Sequence, residues 1–476
     1  MRLKIGVFIL AGLLSTATLA FADNAAKSTL ADQEAVEVTV YNNNLGLIKD
    51  TRKINLPAGE GELRFMDVAS FIMPVTVHVK SINAPDDFAV LEQNYEYDLM
   101  NEEKLLDKYV GKKIKLTTWN QFQDRKETVD ALLLSNNQGQ IYKINDEIYL
   151  GYPGTRILPA IPDNLIAEPT LTWMYNNTGK SPHQLEVSYL TNNISWKADY
   201  VLVLDQDDVQ GDLSGWVTID NKSGAIYKNA GLKLVAGEVN RVDEGMYLNK
   251  SMRARESMAM AGAAADQFQE QGFFEYHIYD LQRKTTIKDN ETKQISLLEA
   301  KKFKIKKELL VYGQQYYYTS RYNDRDLKQA VNVYVVFKNS QENHLGMPLP
   351  AGVMRLYKED QGKKLQFIGE DKIQHTPKDE EVRLKIGEAF DVAAERRQTD
   401  FKQLTTQMYE TEWEVTLRNH KKEDITVGII EPLYGNWTII SNSHPFSKKD
   451  AFTIRFDVNV PKDQEVKVQY RVRVGL

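Results

Sequence analysis

Val36, Val38 and Val40 alternate with Glu37 and Thr39, the period of two expected of a strand with one face in a core. The alternation recurs over 49–56 and 62–65, with Pro57-Ala58-Gly59 as the turn between them, and again at Val75, Val77 and Val79. Near residue 101 it breaks. Asn101-Glu102-Glu103 places a capping side chain and two acids ahead of Leu105, Leu106 and Tyr109, and Gly111 closes the run, so a short helix is predicted. Short strands follow at 113–118, 127–135, 140–144 and 147–150, joined by turns such as Asn136-Asn137-Gln138-Gly139, the spacing of a small barrel of the SH3 or Sm type. Pro153, Pro159, Pro162 and Pro169 end it as a linker, because proline removes ladder donors.

Strands resume at 184–190, 196–204, 213–219 and 231–235 with sandwich spacing, and Trp196, Tyr200 and Trp216 are its expected core anchors. Residues 250–272, rich in alanine and methionine, read as a flexible connection. Beyond them strand patterns run to Val474 without helical periodicity of any length. The predicted fold class is mainly β: antiparallel β-sandwich domains, a small SH3/Sm-like barrel and few short helices. The expected segments are a signal peptide (1–22), an N-terminal β domain (23–100), a barrel-like insertion (101–165), a sandwich (166–249), the linker (250–272) and a C-terminal sandwich region (273–476).

A length of 476 residues calls for several cores, and 42% hydrophobic residues suffice to bury them. The net charge of −6 argues against nucleic acid, whose binding relies on Lys and Arg displacing counterions. At the N-terminus, Arg2 and Lys4 precede an apolar run over 5–20 and the small-residue motif Ala20-Phe21-Ala22, followed by Asp23. This is the layout of a cleavable signal peptide, and its apolar run is short for a bilayer span. No later apolar stretch reaches spanning length, so no integral membrane span is expected after cleavage. With no cysteine there is neither a lipidation site nor a disulfide, which favours a bacterial cell envelope, periplasmic or secreted.

Two blocks carry a family likeness: 189–200 (Tyr-Leu-Thr-Asn-Asn-Ile-Ser-Trp-Lys-Ala-Asp-Tyr) and 213–224 (Leu-Ser-Gly-Trp-Val-Thr-Ile-Asp-Asn-Lys-Ser-Gly). With 232–237, 349–357 and 387–392 following in order, the chain from Pro169 onward resembles a bacterial domain family of unknown function whose named members are mucoidy-inhibitor-like proteins. The resemblance implies exported β-sandwich proteins with no assigned reaction, and a name that points to surface polysaccharide. Longer members insert a helical coiled coil near the N-terminal domain, where this chain has a small strand-rich unit.

Familiar catalytic and cofactor patterns are largely absent from the sequence. No two of the seven histidines lie within four residues, so the zinc-protease pattern is absent, and there is no Gly-x-Ser-x-Gly elbow. Gly179-Lys180-Ser181 lacks the first glycine of a phosphate loop, where Met174 stands, and Pro182 blocks the helix. Asp205, Asp207, Asp208 and Asp212 read as a solvated hairpin turn ahead of a calcium loop, and Met246, Met252, Met258 and Met260 as connector residues ahead of a soft-metal site. Lys301, Lys302, Lys304, Lys306 and Lys307 flank Phe303 and Ile305, the pattern of one lysine-protected edge strand; an anionic-polymer site is the alternative. The densest aromatic cluster is Tyr312, Tyr316, Tyr317, Tyr318 and Tyr322 with Arg321 and Arg325; from it Tyr312, Tyr316, Tyr318 and Arg321 are the candidate ligand-binding residues, since rings beside guanidinium donors suit sugar stacking. No cofactor, metal or catalytic residue is assigned. The expectation is a non-enzymatic module binding an envelope protein or surface glycan. The alternative is a polysaccharide-active enzyme whose carboxylates come from separate strands.

Overall fold

The computed structural model describes residues 25–96, 102–120, 123–137, 139–160, 169–237, 239–240, 267–322 and 326–475. The expected signal peptide lies outside them, as does most of 250–272; the rest of that segment enters strand Phe268–Phe273. The chain is mainly β, with antiparallel sheets predominating and one α-helix among the described residues. It divides into two compact units, 1–36 with 48–190 and 37–47 with 191–476.

In the first unit a four-stranded sheet runs in the order Ala26–Ser28, Gly59–Phe65, Thr170–Asn177, Phe88–Glu96. Its inward positions Leu63, Phe65, Leu171 and Trp173 are fully buried. Beside them Arg52, also fully buried, lies 3.7 Å over the Phe65 ring and is paired at 2.8 Å with Asp50. The expected strand at 75–79 is shorter than its alternation suggested. Pro74–Thr76 is a 3-10 turn and the strand begins only at His78, because Pro74 has no N–H to give a ladder.

Residues 102–157 form a separate layer in this unit. Helix Glu102–Tyr109 buries Leu106 and Tyr109 against Ile114, Leu116, Leu133 and Tyr142 of a five-stranded sheet, and Gly111 turns the chain with φ of +78°. The sheet order is Glu147–Leu150, Ile141–Ile144, Arg125–Ser135, Lys113–Asn120, Thr155–Ile157. The expected SH3/Sm-like barrel is therefore corrected to an open sheet. Its outermost strands have only four and three residues, and the helix already covers the apolar face that closure would have buried.

The second unit contains two sandwiches. In one, residues 37–41 pair in parallel with Tyr227–Ala236, which continues to Tyr276–Leu281 and Phe268–Phe273. The other layer has the order Glu291–Lys304, Gln210–Asn221, Ile194–Leu204, Gly352–Glu359, Leu365–Ile373. Trp196 joins the layers: its ring lies 6.1 Å from Tyr279 and its indole N–H donates to the Val235 carbonyl at 3.1 Å. Tyr200 is buried as expected, but Trp216 is 40% exposed. Leu213, Val217 and Ile219 set the inward parity of strand Gln210–Asn221, so Trp216 falls on its outer face. The lysine-rich stretch is two strands, Glu291–Lys304 and Lys306–Tyr312, and the first is indeed a sheet edge.

The last sandwich packs the sheet Glu381–Glu388, Asn332–Lys338, Lys306–Tyr312, Ile425–Pro432, Thr453–Val460, Phe446–Asp450 against the sheet Leu327–Gln329, Val392–Thr405, Met408–Asn419, Glu465–Gly475, Asn436–Asn442. Its core contains Trp413, Val427, Ile429, Leu433, Phe456 and Val472, all fully buried.

Candidate functional site

The four candidate residues separate. Tyr312 ends its strand at the surface, 36% exposed, with its ring 6.4 Å from Tyr334; burial and that neighbour push its phenol up to about 12. Gln315–Tyr318 is a 3-10 turn, whose tight pitch sends successive tyrosines in different directions. Tyr316 is 58% exposed and Tyr317 is buried 5.2 Å from Trp413. Tyr318 points wholly into the core, so it supports the sandwich and presents no ring to a ligand. Arg321 donates from Nη2 to the Phe401 carbonyl at 3.4 Å. Arg325 lies outside the described residues.

Tyr318 belongs to a polar network that sequence reading did not single out. Its hydroxyl donates to Glu431 Oε2 at 2.6 Å, while Arg396 Nη2 meets Glu431 Oε1 at 2.6 Å and Nη1 meets the Tyr470 hydroxyl at 2.9 Å. Arg396 and Glu431 are both 0% exposed and come from opposite sheets. Burial raises the Tyr318 and Tyr470 phenols, and Glu431 adds to it in both. Arg396 Nε donates to Gln329 Oε1 at 3.0 Å, so every guanidinium nitrogen has an acceptor. A second polar chain lies in the first unit: the buried Asn177 amide gives its N–H groups to Leu56 and Pro57, so its oxygen accepts from His183 Nε2 at 2.9 Å. Ser81 Oγ lies 3.0 Å from His183 Nδ1 and 3.1 Å from Asn83 Oδ1, so its single proton is shared between two acceptors. This serine–imidazole–amide order imitates a nucleophilic triad, but all three residues are buried and closed to substrate.

The surface chemistry concentrates on the hairpin that joins Val392–Thr405 to Met408–Asn419. One side carries Phe401 and Tyr409, stacked with centroids 6.0 Å apart, with Arg321 alongside. The other side carries charge: Arg471 binds Asp400, Glu410 and Glu412, and Arg473 grips Glu410 Oε2 through Nε and Nη2 at 3.1 and 2.8 Å. Next to Arg473 a groove of about 570 Å³ is lined by Thr405, Gln407, Met408, Asn436, Trp437, Thr438 and Gly475. The ladder explains it. Met408 and Asn436 both pair with Gly475, so a position without a side chain lies between two that have them. Trp437 is fixed by its indole N–H to the Ala451 carbonyl and by Lys448 4.5 Å from its ring.

Neighbouring carboxylates are held ionised. Hydrogen bonds from Arg473 put Glu410 below its ordinary value, and those from Arg471 do the same for Asp400. In the turn at 205–208, burial acts to raise Asp208, yet Lys307 and Lys358 bind it and hold it below the usual carboxylate range. Both of its oxygens are engaged by lysines, one by Lys307 and the other by Lys358. No cluster of three or more potential metal-ligating side chains occurs among the described residues.

No curated protein matches the chain. Residues 185–474, more than half of it, match a family model described as Domain of unknown function (DUF4139), and the chain belongs to that family.

Proposed function

We propose that this is an exported protein of a bacterial cell envelope that binds a surface glycan and leaves it chemically unchanged, with the groove beside Arg473 as the binding site. The groove carries the reading. Its lining offers neutral hydrogen-bonding side chains, one guanidinium and no carboxylate, whereas glycoside hydrolysis needs two carboxyl groups facing each other across the bond. Glu410 occupies Nε and Nη2 of Arg473 and so presents the remaining Nη1 in a fixed direction, a donor suited to a hydroxyl or a uronate carboxylate. Stacked Phe401 and Tyr409, with exposed Tyr316 near Arg321, supply flat apolar rings on the other side of the same hairpin. The N-terminal motif ending at Ala22 supports export.

Titration calorimetry of the mature protein with short neutral and uronate-rich oligosaccharides tests this. Arg473→Ala is expected to weaken uronate binding about tenfold or more, the value of a charge-assisted hydrogen bond. Asn436→Ala should weaken both sets. Unchanged affinity in both variants, or turnover of the oligosaccharide on prolonged incubation, overturns the reading.

A further inference from the structure

The sheet of residues 113–157 has one face under helix Glu102–Tyr109 and one face bare, and strand pairing fixes which side chains occupy the bare one. Residues directly opposite in an antiparallel ladder share a face. Lys113 is opposite Leu132, Lys115 opposite Asp130 and Trp119 opposite Lys126. Leu132 is in turn opposite Lys143, Lys143 opposite Ile148, and Lys115 opposite Ile157. The inward set confirms the parity, because Ile114, Leu116, Leu133 and Tyr142 make the covered core.

Outward positions of a solvated sheet should be polar. Here they hold Trp119, Ile148 and Leu150, which are 61%, 65% and 84% exposed, together with Ile157. Single exposed apolar residues need no explanation, but several on one flat face with an indole among them do. Lys113, Lys115 and Lys126 on the same face take part in no ion pair among the described residues, and Asp130 is the one acid there. Lys113, Lys115, Asp130, Ile157 and Pro159 surround a hollow of about 270 Å³.

The geometry points to this bare face as a docking surface for an anionic lipid bilayer, with Trp119, Ile148 and Leu150 entering the interfacial layer. Lys113 and Lys115 would then receive headgroup phosphates over the hollow. Charge and shape select this occupant. Unpaired lysines suit a negative partner, and an open sheet face matches a planar surface better than it matches a peptide. The indole is the side chain that partitions best to the membrane interface. The inference does not depend on the glycan site, which lies in the other unit.

Co-sedimentation of the mature protein with vesicles decides it. Binding is expected to vesicles of phosphatidylcholine containing phosphatidylglycerol, to be much weaker with phosphatidylcholine alone, and to fall as salt rises. The double variant K113Q/K115Q should lose about twenty-five-fold in partitioning, two lysines at roughly a factor of five each. The double variant W119A/L150S should lose binding to both vesicle types, and both variants should keep the wild-type melting profile because the altered side chains are exposed. No sedimentation with anionic vesicles, equal sedimentation by all three proteins, or capture of an acidic protein in place of vesicles each overturns the proposal. R473A should bind vesicles as wild type does, which separates a failure here from a failure of the glycan site.

Discussion

Glu431→Ala removes the one carboxylate that faces Arg396 in the core of the last sandwich, and both residues are 0% exposed. A guanidinium left without its counter-charge in such a place costs about 3–5 kcal/mol, far more than the net value of the intact pair. The Tyr318 hydroxyl loses its acceptor as well, which adds about 1 kcal/mol. Altogether the sandwich should lose about 4–6 kcal/mol, a fall in Tm of roughly 8–24 °C for a domain of this size. Urea titration followed by tryptophan fluorescence is suited to the measurement, since the Trp413 ring lies 5.6 Å from the Arg396 guanidinium. Far-UV circular dichroism on the same samples reports whether other cores unfold separately. The double change Arg396→Leu with Glu431→Leu removes both charges and should recover most of the loss, because apolar replacement of a buried pair is close to neutral. A loss below about 1 kcal/mol in the single variant, or a double variant no more stable than the single one, would refute the assignment of Arg396 and Glu431 as a mutually dependent pair.

Three further outcomes are expected. Tyr318 and Tyr470 have phenols raised above their ordinary value of 10.0, so they contribute stability that is complete below pH 10 and declines above it as unfolded tyrosines ionise; the midpoint of urea unfolding should fall between pH 10 and 11, and less steeply in Tyr470→Phe. Phe274 takes φ of +56° at the tip of the hairpin Phe268–Leu281 while 86% exposed, in a conformation that asparagine and glycine adopt more readily; Phe274→Asn should raise stability by about 1 kcal/mol, and a loss of that size would show that the ring is needed by the fold. Intact mass of the protein isolated from its native host should place the mature N-terminus at Asp23, and retention of Met1 would contradict the proposed export through a cleaved signal peptide.

Much of the local structure was legible because strand alternation is a local property. Val36, Val38 and Val40 are buried as their spacing requires, and the helix opened by Glu102 and Glu103 closes before Gly111. Trp216 shows where size misleads: its bulk suggests a core anchor, but Val217 and Ile219 fix the inward parity and put it on the outer face. Parity also held an unused signal: Arg396 continues the inward series Val392 and Ala394, and Glu431 continues Val427 and Ile429, so each is a charge at a core position. Partners across the core were not legible, because no periodicity tells Arg396 that Glu431 awaits it. Nor could alternation reveal that Ala198 lies in parallel register with Gly352. The groove suffers the same limit, being assembled from Thr405, Asn436 and Arg473 on three different strands.

Strand Glu465–Gly475 is the latest in the chain among the described ones, yet it sits between Met408–Asn419 and Asn436–Asn442 and brings Tyr470 to the buried pair. A chain synthesised from its N-terminus therefore reaches this stage with two strands lacking their shared neighbour and Arg396 lacking one of its hydrogen-bond acceptors. Until the final stretch arrives, the sandwich has no low-energy way to shut. Such an order of events holds the sandwich open until Glu465–Gly475 has been made, and it makes the loss of that one strand leave both of its neighbours unpaired on the sides it occupies.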